Sequence, residues 1–234
     1  MLVLLSVLLF CLNFLNTFKE KKKNKILLIQ NKALELSMFL SLPASIALII
    51  GAEEIISALF GYGSFNKEAV NNSAKALYYF SFGLPAFALI KVFSSFFFAN
   101  HDTQTPFYIS LISVILNIVI SVYYFSSIGF IIIPIATTVS SWFNSIILFV
   151  YLSNKDLFKF NKIFLVNFIK IVFASILMGI FFNHLIFTFK NQLNYDFDFK
   201  SIYLILSVIL GLMFYLLVSF IIKAFNFSDV KLKY

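Results

Sequence analysis

Six long apolar stretches follow one another along the chain, at residues 34–60, 69–99, 106–125, 130–152, 163–187 and 201–225, separated by short polar links. A helix needs about 20 mostly apolar residues to cross the hydrocarbon core of a bilayer, and each stretch reaches that length. The pattern predicts an all-α, polytopic helical membrane protein with six transmembrane helices. A further apolar segment at 1–18 is short for a span and is interrupted by Asn13 and Asn16. Its positive charge follows the apolar run, whereas a secretory signal carries it before. The segment therefore reads as the remnant of a preceding span or as a misplaced start.

Breakers and polar residues punctuate the stretches. Pro43 and Gly51 predict a kink in the first helix, whose last third carries Glu53 and Glu54. Gly83, Pro85 and Lys91 fall inside the second. Pro106 suits the first turn of the third helix, with Asp102, Thr103 or Thr105 as its cap.

Charge then orients the spans. All 18 basic residues are lysine, against 10 acidic residues, for a net charge of +8. Loops that stay in the cytoplasm carry a lysine excess. Five lysines lie within 19–25, the link 153–162 carries Lys155, Lys159 and Lys162, and the end of the chain carries Lys223, Lys231 and Lys233. The link 100–105 has no lysine and is cytoplasmic by alternation alone; of the links expected outside, one holds Lys67, one holds no charge, and one holds Lys190 and Lys200 beside two aspartates. This alternation predicts a cytoplasmic C-terminus. Charged residues make up only 12% of the chain and hydrophobic residues 61%, with a mean hydropathy of +0.96. That is too few charges to cover a water-facing surface. The lysines hug the ends of apolar segments, which predicts membrane lipids and no nucleic acid as partners. Without arginine, bidentate recognition of a phosphate is excluded, and lysine must act as a point charge. Cys11 is the single cysteine, so neither an intramolecular disulfide nor a cysteine-rich metal site can form.

Ionisable groups inside spans are costly and mark substrate pathways. Lys91 is the foremost candidate. Its stem either snorkels to the inner headgroups or faces a polar transport cavity. Glu53 and Glu54 read as an interfacial helix end or as part of that pathway, with Lys75 as a partner. His101 and Asp102 are adjacent in a loop, but His184 falls on the opposite side by the lysine count. Three or four ligands are needed to hold a metal, so neither a metal nor a cofactor is expected. No nucleophile with its base, no paired carboxylates and no glycine-rich phosphate loop is present, so no catalytic residue is assigned and an enzyme is not predicted. Asn117, Ser141 and Asn144 read as polar glue between helices. The substrate-pathway candidates are Lys91, Asp102 and Glu53.

Several strings of residues resemble one known family. These are Leu59-Phe60-x-Tyr62-Gly63-x-Phe65, then Ser81-Phe82-Gly83-Leu84-Pro85-Ala86-Phe87 with Ile90-Lys91-Val92, then Phe97-Phe98-Ala99-x-x-Asp102-Thr103-x-Thr105-Pro106. Asn117 and Ser141-Trp142-x-Asn144 fall where the same pattern expects them. The stretch 34–152 resembles the MurJ/MviN family of lipid II flippases, within the multidrug/oligosaccharidyl-lipid/polysaccharide exporter superfamily. The resemblance implies fourteen helices, as two six-helix lobes and a C-terminal pair, in the bacterial inner membrane. It implies that the four helices at 34–152 end the second lobe, and that the two at 163–225 line a groove for the lipid tail. It further implies alternating access, an undecaprenyl-linked lipid substrate, a role in peptidoglycan biosynthesis and cell shape, and a partner lobe ahead of this chain. Asn100 stands where the family often has a basic residue.

Two other readings compete with the C-terminal part of a flippase. One is a truncated, non-transporting membrane remnant or one subunit of a split transporter. The other is a membrane-embedded transferase, which would need a clustered acidic or histidine site that the sequence lacks.

Overall fold

The computed structural model describes residues 23–224, and all regular structure among them is helical. The apolar segment 1–18, Cys11, and the lysines at 231 and 233 lie outside the described residues. Eight α-helices follow in order: α1 Lys23–Ile50, α2 Ala52–Phe60, α3 Lys67–Ser81, α4 Leu84–Ala99, α5 Gln104–Ile128, α6 Ile132–Asn154, α7 Lys162–Thr188 and α8 Lys200–Ile221. A short 3₁₀ turn, Gly129–Ile131, joins α5 to α6.

The last four apolar stretches become α5 to α8 nearly as the sequence predicts. The first two are corrected. The helix expected over 34–60 begins at Lys23 and ends at Ile50. Residues before 34 continue the apolar face, since Ile26, Ile29, Ala33 and Leu34 are all buried. That spacing, i, i+3, i+7, i+8, follows one face of a helix, and it is masked in the sequence by the lysines on the other faces. The helix runs through Pro43 and stops at Gly51. Glu53 and Glu54 therefore do not close a long helix; they open a new one, in the first turn of α2, where acidic side chains favour the helix dipole.

The helix expected over 69–99 is two helices, α3 and α4, bent by 43°. Pro85 has no N–H, so the Ser81 carbonyl loses its helical donor. The Ser45 hydroxyl of α1 donates to that carbonyl at 2.6 Å, which satisfies the orphan.

By length and apolarity, four helical runs can cross a membrane, and the bent α3–α4 pair makes a fifth. One run, Gln104–Asn154, has 51 residues and would extend about 76 Å if straight. It doubles back instead. Asn117 of α5 donates to Thr137 and Ser140 of α6 at 3.0 and 3.3 Å, and Asn144 of α6 donates to Ser110 of α5 at 3.4 Å. Partner numbers rise on one helix as they fall on the other, so α5 and α6 are antiparallel and make two spans. Counted so, six spans lie within the described residues. Gly129, with φ of 76°, supplies the left-handed backbone for the reversal.

The described residues form two compact units. The first comprises residues 23–41 and 83–168. Its core joins Val92, Phe93, Phe96 and Phe97 of α4 to Leu148 and Leu152 of α6, with Phe158 of the following link among them. The second comprises residues 42–82 and 169–224. Here a Cβ on Gly179 of α7 would lie 2.5 Å from Ile46; the glycine lets the end of α1 approach α7 closely, as small residues do between membrane helices. Phe181 stacks on Phe214 at 4.4 Å, and Lys170 donates to the Lys223 carbonyl at 3.3 Å. These pairings set α7 and α8 antiparallel.

Candidate functional site

Lys91 sits on α4 with its side chain exposed, while its neighbours Val92 and Phe93 are buried in the first unit. It makes no hydrogen bond or ion pair with the described residues. One apolar helix therefore presents a cation on its unpacked side, flanked one turn away by the exposed Phe87.

Asp102 has a different setting. Its carboxylate accepts from the Thr105 backbone N–H at 3.0 Å and the Thr105 hydroxyl at 2.8 Å. This is a helix cap on α5, as the sequence of the loop predicts. Lys155, just past α6, donates to the same carboxylate at 3.1 Å. The Thr105 N–H first, and then its hydroxyl and Lys155, hold the Asp102 carboxyl below the usual carboxylate range. His101 beside it takes a left-handed backbone, φ of 60°, and is exposed.

Glu53 is exposed in the first turn of α2. Lys75 is also exposed and makes no ion pair with Glu53 or Glu54, so the expected pairing is not formed. Lys91 and Asp102 belong to the first unit and Glu53 to the second. Asn117 and Asn144 do join two helices, whereas the Ser141 hydroxyl donates within its own helix, to the Thr137 carbonyl. Among the described residues no three His, Cys, Asp or Glu side chains gather in a group able to hold a metal.

Sequence reasoning missed three polar residues on α1 in the first unit. Gln30 is wholly buried and donates to the Leu157 carbonyl at 3.1 Å; its own amide oxygen has no partner. Asn31 donates to the Lys159 carbonyl and accepts from the Asn161 N–H, both at 3.0 Å. Together they clamp the extended link into α7. Glu35, 1% exposed, accepts from Lys32 at 3.3 Å. Their signal was an amide pair followed by Lys32-x-x-Glu35, a spacing that places opposite charges on one helix face.

A second missed group lies at one end of the other unit. Lys200 opens α8 and is 1% exposed. Its ammonium donates to the carbonyls of Gly61 and Tyr195, each at 2.7 Å. The rings of Tyr62 and Tyr195 lie 4.4 and 4.5 Å from it.

A family model described as lipid II flippase MurJ matches residues 2–204. The chain is 34% identical to the probable lipid II flippase MurJ of Thermotoga maritima over 194 residues, covering 83% of this chain and 37% of that protein. It is 27% identical to the corresponding protein of Buchnera aphidicola subsp. Schizaphis graminum, covering 97% of this chain and 44% of that one. A solved lipid II flippase MurJ in an inward closed conformation superposes with a TM-score of 0.69 at 24% identity, over 94% of this chain and 44% of that chain. That likeness shows a shared fold. This chain spans less than half the length of each of these relatives. With a family match across most of its residues and the fold of a solved member, the chain belongs to the MurJ lipid II flippase family.

Proposed function

We propose that this chain is the C-terminal part of a lipid II flippase. It would carry the undecaprenyl-linked peptidoglycan precursor across the bacterial inner membrane by alternating access, with the C-terminus in the cytoplasm. The observation that carries the reading is the family match over residues 2–204. The lysine alternation supports the orientation. In this reading α1 to α6 supply the end of the second lobe, and α7 with α8 supply the surface along which the lipid tail lies. The other half of the cavity would come from a partner lobe, and the lobes would rock about a substrate site near the bilayer midplane. Transport of this kind moves the substrate without bond chemistry, so no enzyme activity is assigned.

Among the pathway candidates, Lys91 is the one we assign to a pyrophosphate; its exposed ammonium, with no partner among the described residues, supports that reading. Asp102 already commits its carboxylate to Thr105 and Lys155, which fits a residue that holds the loop. Glu53 has the geometry of a dipole-favoured helix start.

The test joins this chain behind the N-terminal half of the Thermotoga maritima relative, in cells depleted of their own flippase. The readout is the lipid II accessible to a lipid II-cleaving enzyme added outside. The chimera should restore access and growth. Lys91→Ala should lower access at equal membrane abundance. A chimera that inserts normally and moves no lipid II overturns the flippase reading and leaves the non-transporting remnant.

A further inference from the structure

A lysine at the first turn of a helix opposes the helix dipole, and burying an ammonium is costly unless its donors are satisfied. Lys200 does both, so its surroundings must compensate. They do so with groups drawn from separate segments of the second unit. Gly61 caps the C-terminus of α2, and its carbonyl belongs to the negative end of that helix. Tyr195 belongs to the link between α7 and α8. The two tyrosine rings add cation–π attraction, which strengthens when water is excluded.

The walls of this cage are pinned in turn. Ser201 donates to the Ala58 carbonyl at 2.6 Å and accepts from the Tyr62 hydroxyl at 2.7 Å. Tyr195 donates to the Phe65 carbonyl at 2.9 Å. Outside the cage, Lys67 and Asp196 pair at 2.8 Å, but both are well exposed, so water and salt screen that contact.

We propose that Lys200 is a buried latch that closes the end of α2, the α2–α3 loop, the α7–α8 link and the start of α8 into one rigid cap. The loop and the link then move together in any conformational change, because separating them strips the buried ammonium of the Gly61 carbonyl and the Tyr62 ring at once. The exposed Lys67–Asp196 pair is dispensable to this closure. The inference stands on the cage geometry and does not rest on the transport reading.

The test uses the whole chain, with Cys11→Ser, reconstituted in phospholipid vesicles. Spin labels are placed at Ser64→Cys and Asn194→Cys, two exposed positions outside the cage. The unaltered cage should give one narrow label–label distance, unchanged in molar salt. Lys200→Met should add a longer distance and raise its population about tenfold, the scale of losing a charge-assisted hydrogen bond. Lys67→Ala should leave the distribution narrow. A narrow distribution in folded Lys200→Met, or a salt-sensitive one in the parent, overturns the proposal. Should Lys200→Met fail to accumulate, Tyr195→Leu decides: a broadened distribution supports the latch, and an unchanged one overturns it.

Discussion

Two links lead the chain into its last helices, one in each unit, and they are held by opposite chemistry. The main chain of residues 157–161 is fixed by neutral groups: the amides of Gln30 and Asn31 bind it, and Phe158 is buried among other phenylalanines. Residues 189–199 are fixed by a charge, the Lys200 ammonium between carbonyls and tyrosine rings. A neutral clamp fails gradually, because each amide or ring can be removed separately. A buried charge fails all at once, because removing one partner leaves the ion uncompensated. The first unit should therefore respond to each single substitution in its clamp in proportion to the apolar surface or hydrogen bond it removes.

The largest effect in the neutral clamp belongs to Phe158. Its ring is fully buried and lies 5.9 Å from Phe96, 6.2 Å from Phe93 and 5.0 Å from Phe160. Phe158→Ala should cost about 3 kcal/mol, the range for emptying an aromatic site. Thermal unfolding in detergent would show it, and a change under about 1 kcal/mol would mean the ring merely fills space. Asn31→Ala comes next. It strands the Lys159 carbonyl and the Asn161 N–H, and should cost about 2 kcal/mol. Asn31→Asp keeps the acceptor and loses the donor, so it should fall between. If both substitutions cost the same, the two hydrogen bonds are not independent and the contrast with the latch weakens.

A smaller effect probes a neutral bond inside the unit that the charge closes. Ser45→Ala removes the donor to the Ser81 carbonyl and should cost about 1 kcal/mol. Pro85→Ala would return an N–H at the position that normally serves that carbonyl. In the Pro85→Ala background, Ser45→Ala should therefore be nearly silent. A double-mutant cycle measures the difference directly, and additive costs would show that Ser45 does not act by satisfying the carbonyl that Pro85 leaves without a donor.

How legible each part was follows from the range of the forces involved. The spans at α5 to α8 could be read because burial in a bilayer demands uninterrupted apolar length, which is local information. Pro106 and the polar loop before it also marked a helix start, and Asp102 does cap it. The beginning of α1 could not be read so easily, since Lys25 and Lys32 resemble a loop until the buried spacing of Ile26, Ile29 and Ala33 is seen. Glu53 looked like a helix end because Gly51 was weighed as a kink and not as a stop. Lys200 looked like a loop charge, and its partners Gly61 and Tyr62 lie more than a hundred residues earlier in the chain. Interactions across that separation leave no periodic trace. The cavity candidate Lys91 was visible from the sequence because a lone cation in an apolar run is conspicuous. What it faces is decided by long-range packing, which no local pattern records.

The smallest effect tests whether the first unit carries any electrostatic dependence at all. Its Asp102 carboxyl is held below the usual range by Thr105 and Lys155. A carboxyl lowered in the folded state stabilises above its unfolded pKa, and that contribution is lost as pH falls through the folded value. The stability gap between the parent and Asp102→Asn should thus be flat from neutral pH down to about 5, and should shrink only below about 4, where free aspartate titrates. Asparagine still caps a helix, so the gap isolates the charge from the cap. Because Asp102 and Lys155 are both partly exposed, molar salt should close most of that gap at neutral pH, while leaving the Asn31→Ala cost unchanged. A gap that persists in salt would mean that this ion pair is shielded from water, and that the first unit too depends on a charge that cannot be lost by degrees.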